Sequence, residues 1–296
     1  MAKKEPVFTG VCTALITPFD AEGIDLMRLE ALLERQAAGG AAAVVLAGTT
    51  GENATLRPAE YRLLLEASAG IAAGRMKLIA GIGGNDTAAC ASRAEIAARA
   101  GMDAVLMTPP YYNKSTQQGV IRHFSAVADA AALPLILYNV PGRTGIGIAP
   151  ASYKVLSRHP NINGVKEASG DFSLLSYLAS ECAEELNLWC GNDDQLIAAL
   201  ALGAKGVISV VSNLLPEDVA AVCAACAEND YPAARERFRR YAAFCRLLFA
   251  ETNPIPVKAA MHLARLDSGR LRLPLVELSP ENTEMLKASM KGLGLL

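Results

Sequence analysis

Lys166 interrupts an otherwise apolar run, Ile162-Asn163-Gly164-Val165-Lys166-Glu167-Ala168-Ser169-Gly170, that reads as a short strand ending in a turn. Burial penalises the charged form of an amine and frees its lone pair, so such a lysine is a candidate nucleophile toward carbonyls. A strand-end lysine that snorkels its head to water is the plain alternative. Three further strings bear on the choice. Gly48-Thr49-Thr50-Gly51-Glu52 offers hydroxyls and glycine amides able to cradle a carboxylate or phosphate, although an ordinary turn has the same composition. Thr108-Pro109-Pro110-Tyr111-Tyr112-Asn113 and Tyr138-Asn139-Val140-Pro141-Gly142-Arg143-Thr144 carry tyrosines and an arginine. Either cluster alone is also readable as aromatic packing.

The elements that must position these residues alternate along the chain. Short apolar runs at 10–18, 43–49, 77–82, 104–108, 135–139, 164–167, 188–190 and 206–210 have the look of strands covered on both faces. Between and after them, helix-period segments occupy 26–38, 59–73, 87–100, 118–130, 150–157, 173–184, 194–202 and 216–227. Several end at glycines that suit a helix stop, such as Gly101 and Gly203. Eight strand-helix pairs predict an α/β fold, a closed (β/α)₈ TIM barrel over 1–229, better than an open doubly wound sheet. From 230 to 296 the pattern changes to consecutive helices, at 233–251, 256–266 and 281–293, read as a C-terminal helical extension packed on the barrel. Ligands of such barrels meet the C-terminal ends of the strands. Those ends carry Thr49 and Thr50, the two tyrosine clusters with Arg143, Lys166, Gly191-Asn192-Asp193 and Ile208-Ser209. One rim holding these groups suits Schiff-base chemistry. Lys166 would attack a keto acid, Tyr138 and Thr50 would move protons, and the Thr49 and Thr50 amides would hold the acid's carboxylate.

Composition removes several other classes. The chain of 296 residues is 52% apolar with a net charge of −2 and no dense Lys/Arg stripe, which argues against nucleic acid. No stretch approaches a membrane span, and Met1-Ala2-Lys3-Lys4-Glu5-Pro6 is not followed by an apolar run of signal-peptide length. A cytoplasmic location is the default expectation. Seven scattered cysteines do not resemble a disulfide framework, and Cys223-Ala224-Ala225-Cys226 lies in a helical pattern that predicts packing. His123, His159 and His262 are too far apart in sequence for ligand spacing, so no metal is expected. Gly81-Ile82-Gly83-Gly84-Asn85-Asp86 echoes a dinucleotide loop only weakly, since Asp86 stands where the third glycine belongs. Asp193 and Asp194 could serve a glycosidase or magnesium site but read better as loop charges.

Taken together, GTTGE at 48–52, TPPYYN at 108–113, YNVPGRTG at 138–145, GVKEASG at 164–170, GND at 191–193, GVISV at 206–210 and NPIPVK at 253–258 resemble the dihydrodipicolinate synthase family. That family belongs to the pyruvate-dependent class I aldolases, and the resemblance spans nearly the whole chain. It implies a lyase that condenses pyruvate with L-aspartate 4-semialdehyde through a lysine Schiff base, the first committed step toward diaminopimelate and lysine. By the same resemblance, Lys166 forms the imine, Tyr138 relays protons, and Thr50 links Tyr138 to Tyr112, which reaches in from a neighbouring subunit. Thr49 and Thr50 bind the pyruvate carboxylate, Arg143 binds the semialdehyde's carboxylate, and Gly191 and Ile208 line the pyruvate pocket. No metal or organic cofactor is needed. A homotetramer built as a dimer of dimers is implied.

Feedback-inhibited members of the family hold lysine with a histidine pair, an asparagine and a glutamate, and the matching positions here are Pro58, Tyr61, Asn85 and Ala89. Only Asn85 agrees, along with Tyr111. Without a carboxylate at 89 the ligand's ammonium loses a charge-assisted contact, so weak or absent inhibition by lysine is expected. The alternative enzyme is a sister Schiff-base lyase, such as N-acetylneuraminate lyase or a 2-keto-3-deoxy sugar acid aldolase, against which Arg143 and Tyr112 argue. A non-catalytic pyruvate-binding barrel is the competing class.

Overall fold

A computed structural model of the chain describes residues 3–296. Met1 and Ala2, the start of the N-terminal run read above, lie outside them. Eight parallel strands close into a barrel in sequence order: β1 (Gly10–Ala14), β2 (Ala43–Leu46), β3 (Lys77–Gly81), β4 (Ala104–Met107), β5 (Leu135–Asn139), β6 (Ile162–Glu167), β7 (Asn187–Cys190) and β8 (Gly206–Ser209). Pairing of Cys12 with Ile208 joins β8 back to β1. The helices between the strands are α1 (Leu26–Ala38), α2 (Pro58–Ala72), α3 (Thr87–Arg99), α4 (Gln117–Ala130), α5 (Pro141–Thr144), α6 (Pro150–Leu156), α7 (Phe172–Glu181) and α8 (Leu196–Ala201). After β8 come α9 (Pro216–Ala227), α10 (Tyr231–Leu247), α11 (Ile255–Leu263) and α12 (Pro280–Gly292). The TIM-barrel expectation therefore holds. α10 packs against α9 and α12, and α11 against α12.

The strands are apolar throughout because each faces two cores. Val11, Val44, Leu78, Val105, Leu137, Val165 and Val207 meet the surrounding helices in the outer core. Their alternates pack inside the barrel, among them Cys12, Val45, Ile79, Leu106, Ile136, Tyr138, Trp189 and Ile208. Small residues at Ala14, Ala43 and Ala104 leave room in that inner layer for one tryptophan. Phe8 enters it before β1 begins, stacked on Trp189 with ring centres 5.0 Å apart and accepting the indole N–H at its carbonyl.

Short polar caps start several helices. Asp25 accepts from the Arg28 amide at α1, Thr116 from the Gly119 amide at α4, and Asp171 from the Ser173 and Leu174 amides at α7. Gly101 and Gly203 stop α3 and α8 with positive φ, as expected. The glycines at 81 and 83 serve close packing: a Cβ on Gly81 would collide with the Ala47 carbonyl, and one on Gly83 would lie 2.6 Å from Thr108 Oγ1. Cys223 and Cys226 both lie on α9, buried, and burial pushes the Cys223 thiol up to about 12.

Two differences from the expected boundaries have a common cause. β1 ends at Ala14 and β2 at Leu46, whereas the apolar runs continue to 18 and 49. Leu15 to Phe19 after β1, and Ala47 after β2, stay buried once the ladder stops, so the apolar run reports burial rather than pairing.

Candidate active site

The strand ends converge on a cavity of about 410 Å³ lined in part by Thr49, Tyr111, Tyr138, Arg143 and Asn253. Lys166 and Tyr138 are register partners on β6 and β5, which places both side chains on the inner face. Lys166 is 5% exposed, and its Nζ lies 4.3 Å from the centre of the Tyr138 ring. The head of the lysine is thus held inside the barrel over an aromatic face, and the snorkelling alternative does not describe it.

Gly191 gives the lysine chain its room. A Cβ there would lie 2.6 Å from Ala168 Cβ, 2.8 Å from the Glu167 carbonyl and 3.1 Å from Lys166 Cε. Ile208 packs in the inner core on β8. Asp193, two residues on from Gly191, is buried and accepts the Val210 and Val211 amides at 2.9 and 3.0 Å. Burial pushes its carboxyl up from the usual range, while hydrogen bonds from Ser209 and these amides, and the charge of Lys166, pull against that rise. It is a fixed part of the wall rather than a solvated loop charge.

Behind Lys166 and Tyr138, the next residue of each strand forms a second buried pair. The Asn139 amide donates to the Glu167 carboxylate at 2.9 Å, Tyr153 Oη donates at 3.2 Å, and the Ser169 amide at 2.7 Å. Burial raises the Glu167 carboxyl and the hydrogen bonds oppose it. This network fixes the ends of β5 and β6 relative to each other, and with them the two inward side chains. Asn139 Oδ1 also accepts the Ile148 amide, tying down the loop that carries Arg143.

The Gly48–Glu52 loop curls back on itself, with Ala47 and Glu52 both at positive φ. Thr17 Oγ1 donates to the Gly51 carbonyl at 2.7 Å. Glu52 is buried and receives Lys258 Nζ at 2.6 Å and the Arg272 amide at 3.0 Å. Thr49 faces the cavity; Thr50 is 3% exposed and its Oγ1 accepts from Asn253 Nδ2 at 2.9 Å. The Asn253 carbonyl in turn accepts from the Arg143 guanidinium at 3.1 Å.

Lys166, Tyr138, Thr49, Thr50, Arg143, Gly191 and Ile208 are therefore gathered at one end and in the lumen of the barrel. Thr50 bonds Asn253 and makes no hydrogen bond to Tyr138 within the described chain. Tyr112 stands apart. It is 91% exposed with φ of 67°, and its neighbour Tyr111 lines the cavity instead. Asn253 and Lys258 belong to the site's construction and were not singled out by spacing, although both lie in the NPIPVK string. Among the described residues, no cluster of His, Cys, Asp and Glu is arranged to hold a metal ion.

A match to the dihydrodipicolinate synthetase family spans residues 7–293. The chain belongs to that family. Over 97% of its length it is 44% identical to a 4-hydroxy-tetrahydrodipicolinate synthase of Exiguobacterium sibiricum, covering 98% of that protein. The structure of dihydrodipicolinate synthase from Aquifex aeolicus superposes with a TM-score of 0.95 at 38% identity, over 97% of this chain and 99% of that one. The chloride-inhibited dihydrodipicolinate synthase of Acinetobacter baumannii, solved with pyruvate, gives a TM-score of 0.95 at 36% identity, over 98% and 100%. The dihydrodipicolinate synthetase fold, with its closed barrel and C-terminal helices, is thus the fold of this chain.

Proposed function

We propose that this chain joins pyruvate to L-aspartate 4-semialdehyde, giving 4-hydroxy-tetrahydrodipicolinate by way of a Schiff base on Lys166. The observation that carries the reading is a buried lysine stacked on Tyr138, which itself lines a cavity shared with Thr49 and Arg143. Lys166 Nζ attacks the pyruvate carbonyl carbon and water leaves, forming the imine. The imine acidifies the methyl group; loss of a proton gives an enamine, and its carbon attacks the aldehyde. The semialdehyde's amino group then adds to the imine carbon and displaces the Lys166 amine, closing the ring and freeing the product.

Tyr138 is the relay that moves protons between the amine nitrogen and the departing oxygen as the imine forms. Thr49 and Thr50 take the pyruvate carboxylate, and Gly191 and Ile208 shape the space around it. Arg143 presents a planar fork at the cavity for the semialdehyde's carboxylate, a shape that lysine cannot reproduce. Thr50 and a neighbouring subunit's copy of Tyr112 complete the relay. An exposed tyrosine held at positive φ supports that reading, because its surface is free for another subunit. Assembly as a tetramer of paired dimers and a cytoplasmic location belong to the same proposal; no described helix is long and apolar enough to cross a membrane. So does the division into a barrel over 1–229 and a helical region over 230–296.

Incubation with pyruvate and borohydride tests the core of this reading. A reduced pyruvate adduct on the peptide containing Lys166, absent in Lys166→Ala, is the expected result. An adduct retained at another lysine would overturn it. Turnover with the semialdehyde and not with sialic acid or keto-deoxy acids is expected in parallel.

Weak or absent inhibition by lysine follows as well. Tyr61 is buried with the Arg93 guanidinium 5.5 Å from its ring centre, and Ala89 on α3 supplies no carboxylate. A cation already occupies the neighbourhood where an ammonium ligand would need acceptors. Half-inhibition at sub-millimolar lysine in a steady-state assay would contradict this.

A further inference from the structure

We propose that Asn253 is a positioning residue that sets the direction of the Thr50 hydroxyl. This rests on the relay reading of Thr50. Asn253 arrives from the segment between α10 and α11, far from the GTTGE loop in sequence, and is 5% exposed. Its Nδ2 lies 2.9 Å from Thr50 Oγ1. An amide nitrogen only donates, whereas a hydroxyl has one proton and two lone pairs. With Nδ2 on one lone pair, the Thr50 proton points away from Asn253. It is then available to the Tyr138 phenol oxygen.

The opposite amide orientation would turn the hydroxyl around. Asn253 Oδ1 would then accept the Thr50 proton, and the buried NH₂ would lose its partner. With Nδ2 toward Thr50, one N–H is met while the other and Oδ1 are not. The reverse would leave both buried N–H donors unmet, the worse arrangement. The same residue fixes Arg143 through its main-chain carbonyl, a contact that side-chain replacement does not remove. Asn253 thus couples the threonine loop of β2 and the arginine turn after β5 through different atoms, and only one of these couplings depends on its side chain.

The experiment compares Asn253→Asp, Asn253→Ala, Thr50→Val and the double variant Thr50→Val/Asn253→Ala in the full chain. Kinetics are measured for pyruvate and semialdehyde. Asp is nearly isosteric but presents only acceptors when ionised, so it draws the Thr50 proton toward itself. Its kcat should fall by about 10- to 100-fold, less than the loss of a proton-transfer group itself, because Thr50 remains in place. KM for pyruvate should stay within about twofold, since Thr49 and the loop amides are untouched. Ala, which frees the hydroxyl to rotate, should lose less, and it serves where a buried carboxylate impairs folding. If Asn253 acts through Thr50, adding Asn253→Ala to Thr50→Val should cost nothing more in kcat.

Wild-type kcat in both Asn253 variants, with Thr50→Val slow, would overturn this proposal and leave the relay reading intact. Additive losses in the double variant would do the same. Wild-type kcat in Thr50→Val would overturn both together.

Discussion

At the scale of single residues, the site depends on how an ammonium is kept inside a barrel. The ring face of Tyr138 offers Lys166 a partial counter-charge without a fixed carboxylate contact, worth on the order of 2 kcal/mol when desolvated. The arrangement also leaves no spare volume. Because a methyl group at 191 would press on Ala168, the Glu167 carbonyl and Lys166 Cε at once, Gly191→Ala must displace the lysine or the end of β6. Overpacking of this kind costs about 1–3 kcal/mol. The expected outcome is a lower melting temperature and pyruvate trapping slowed by at least about tenfold, for a misplacement of the nucleophile. Trapping at the wild-type rate would show that the wall yields more easily than its contacts imply.

At the scale of elements, the GTTGE loop is held by parts of the chain that come long after it. Lys258 on α11 is fully buried, and burial lowers its pKa while the Glu52 charge and hydrogen bond raise it. Phe19 lies 4.4 Å below the same ammonium, and the Arg270 carbonyl accepts from it at 2.6 Å. Lys258→Met leaves the Glu52 carboxylate buried beside an apolar chain, which should cost about 3–5 kcal/mol in urea unfolding. Lys258→Met with Glu52→Gln should recover part of that loss, because no lone charge remains. Equal losses in the two proteins would mean that the pair matters only for shape. These contacts also explain what the sequence concealed. Strand ends were legible because a strand with both faces covered is apolar along its length, and the polar residue that follows stands out, as Thr49 and Arg143 do. Asn253 and Lys258 bond partners more than 200 residues earlier, and neither periodicity nor spacing reports such a distance. α5 is a four-residue turn of helix that shows no amphipathic repeat, so Arg143 was placed on a rim but not on a helix. Asp193 was read as a solvated loop charge, since a sequence does not display the main-chain amides that gather around it.

At the scale of the whole molecule, Tyr112 is the residue without a role inside its own chain. If it completes the site of a neighbouring subunit, then Tyr112→Phe and Lys166→Ala are defective in different halves of a shared site. Mixing the two proteins under conditions that exchange subunits should restore activity above either parent, since a Lys166→Ala subunit still contributes a good tyrosine to its neighbour's intact lysine. Mixed oligomers no more active than the parents would show that Tyr112 acts elsewhere. The inner layer of the barrel has a further consequence of a different kind. The chain has one tryptophan, and Trp189 is the register partner of Lys166 on the adjacent strand. Its indole is enclosed on all sides, stacked on Phe8 and shielded from solvent quenchers. Excited beyond tyrosine absorption, this protein therefore emits from a single origin, on the strand next to Lys166. If Lys166 forms the imine, pyruvate brings its carboxylate onto the strand beside that fluorophore, so the protein carries an unlabelled optical gauge of its own first covalent step.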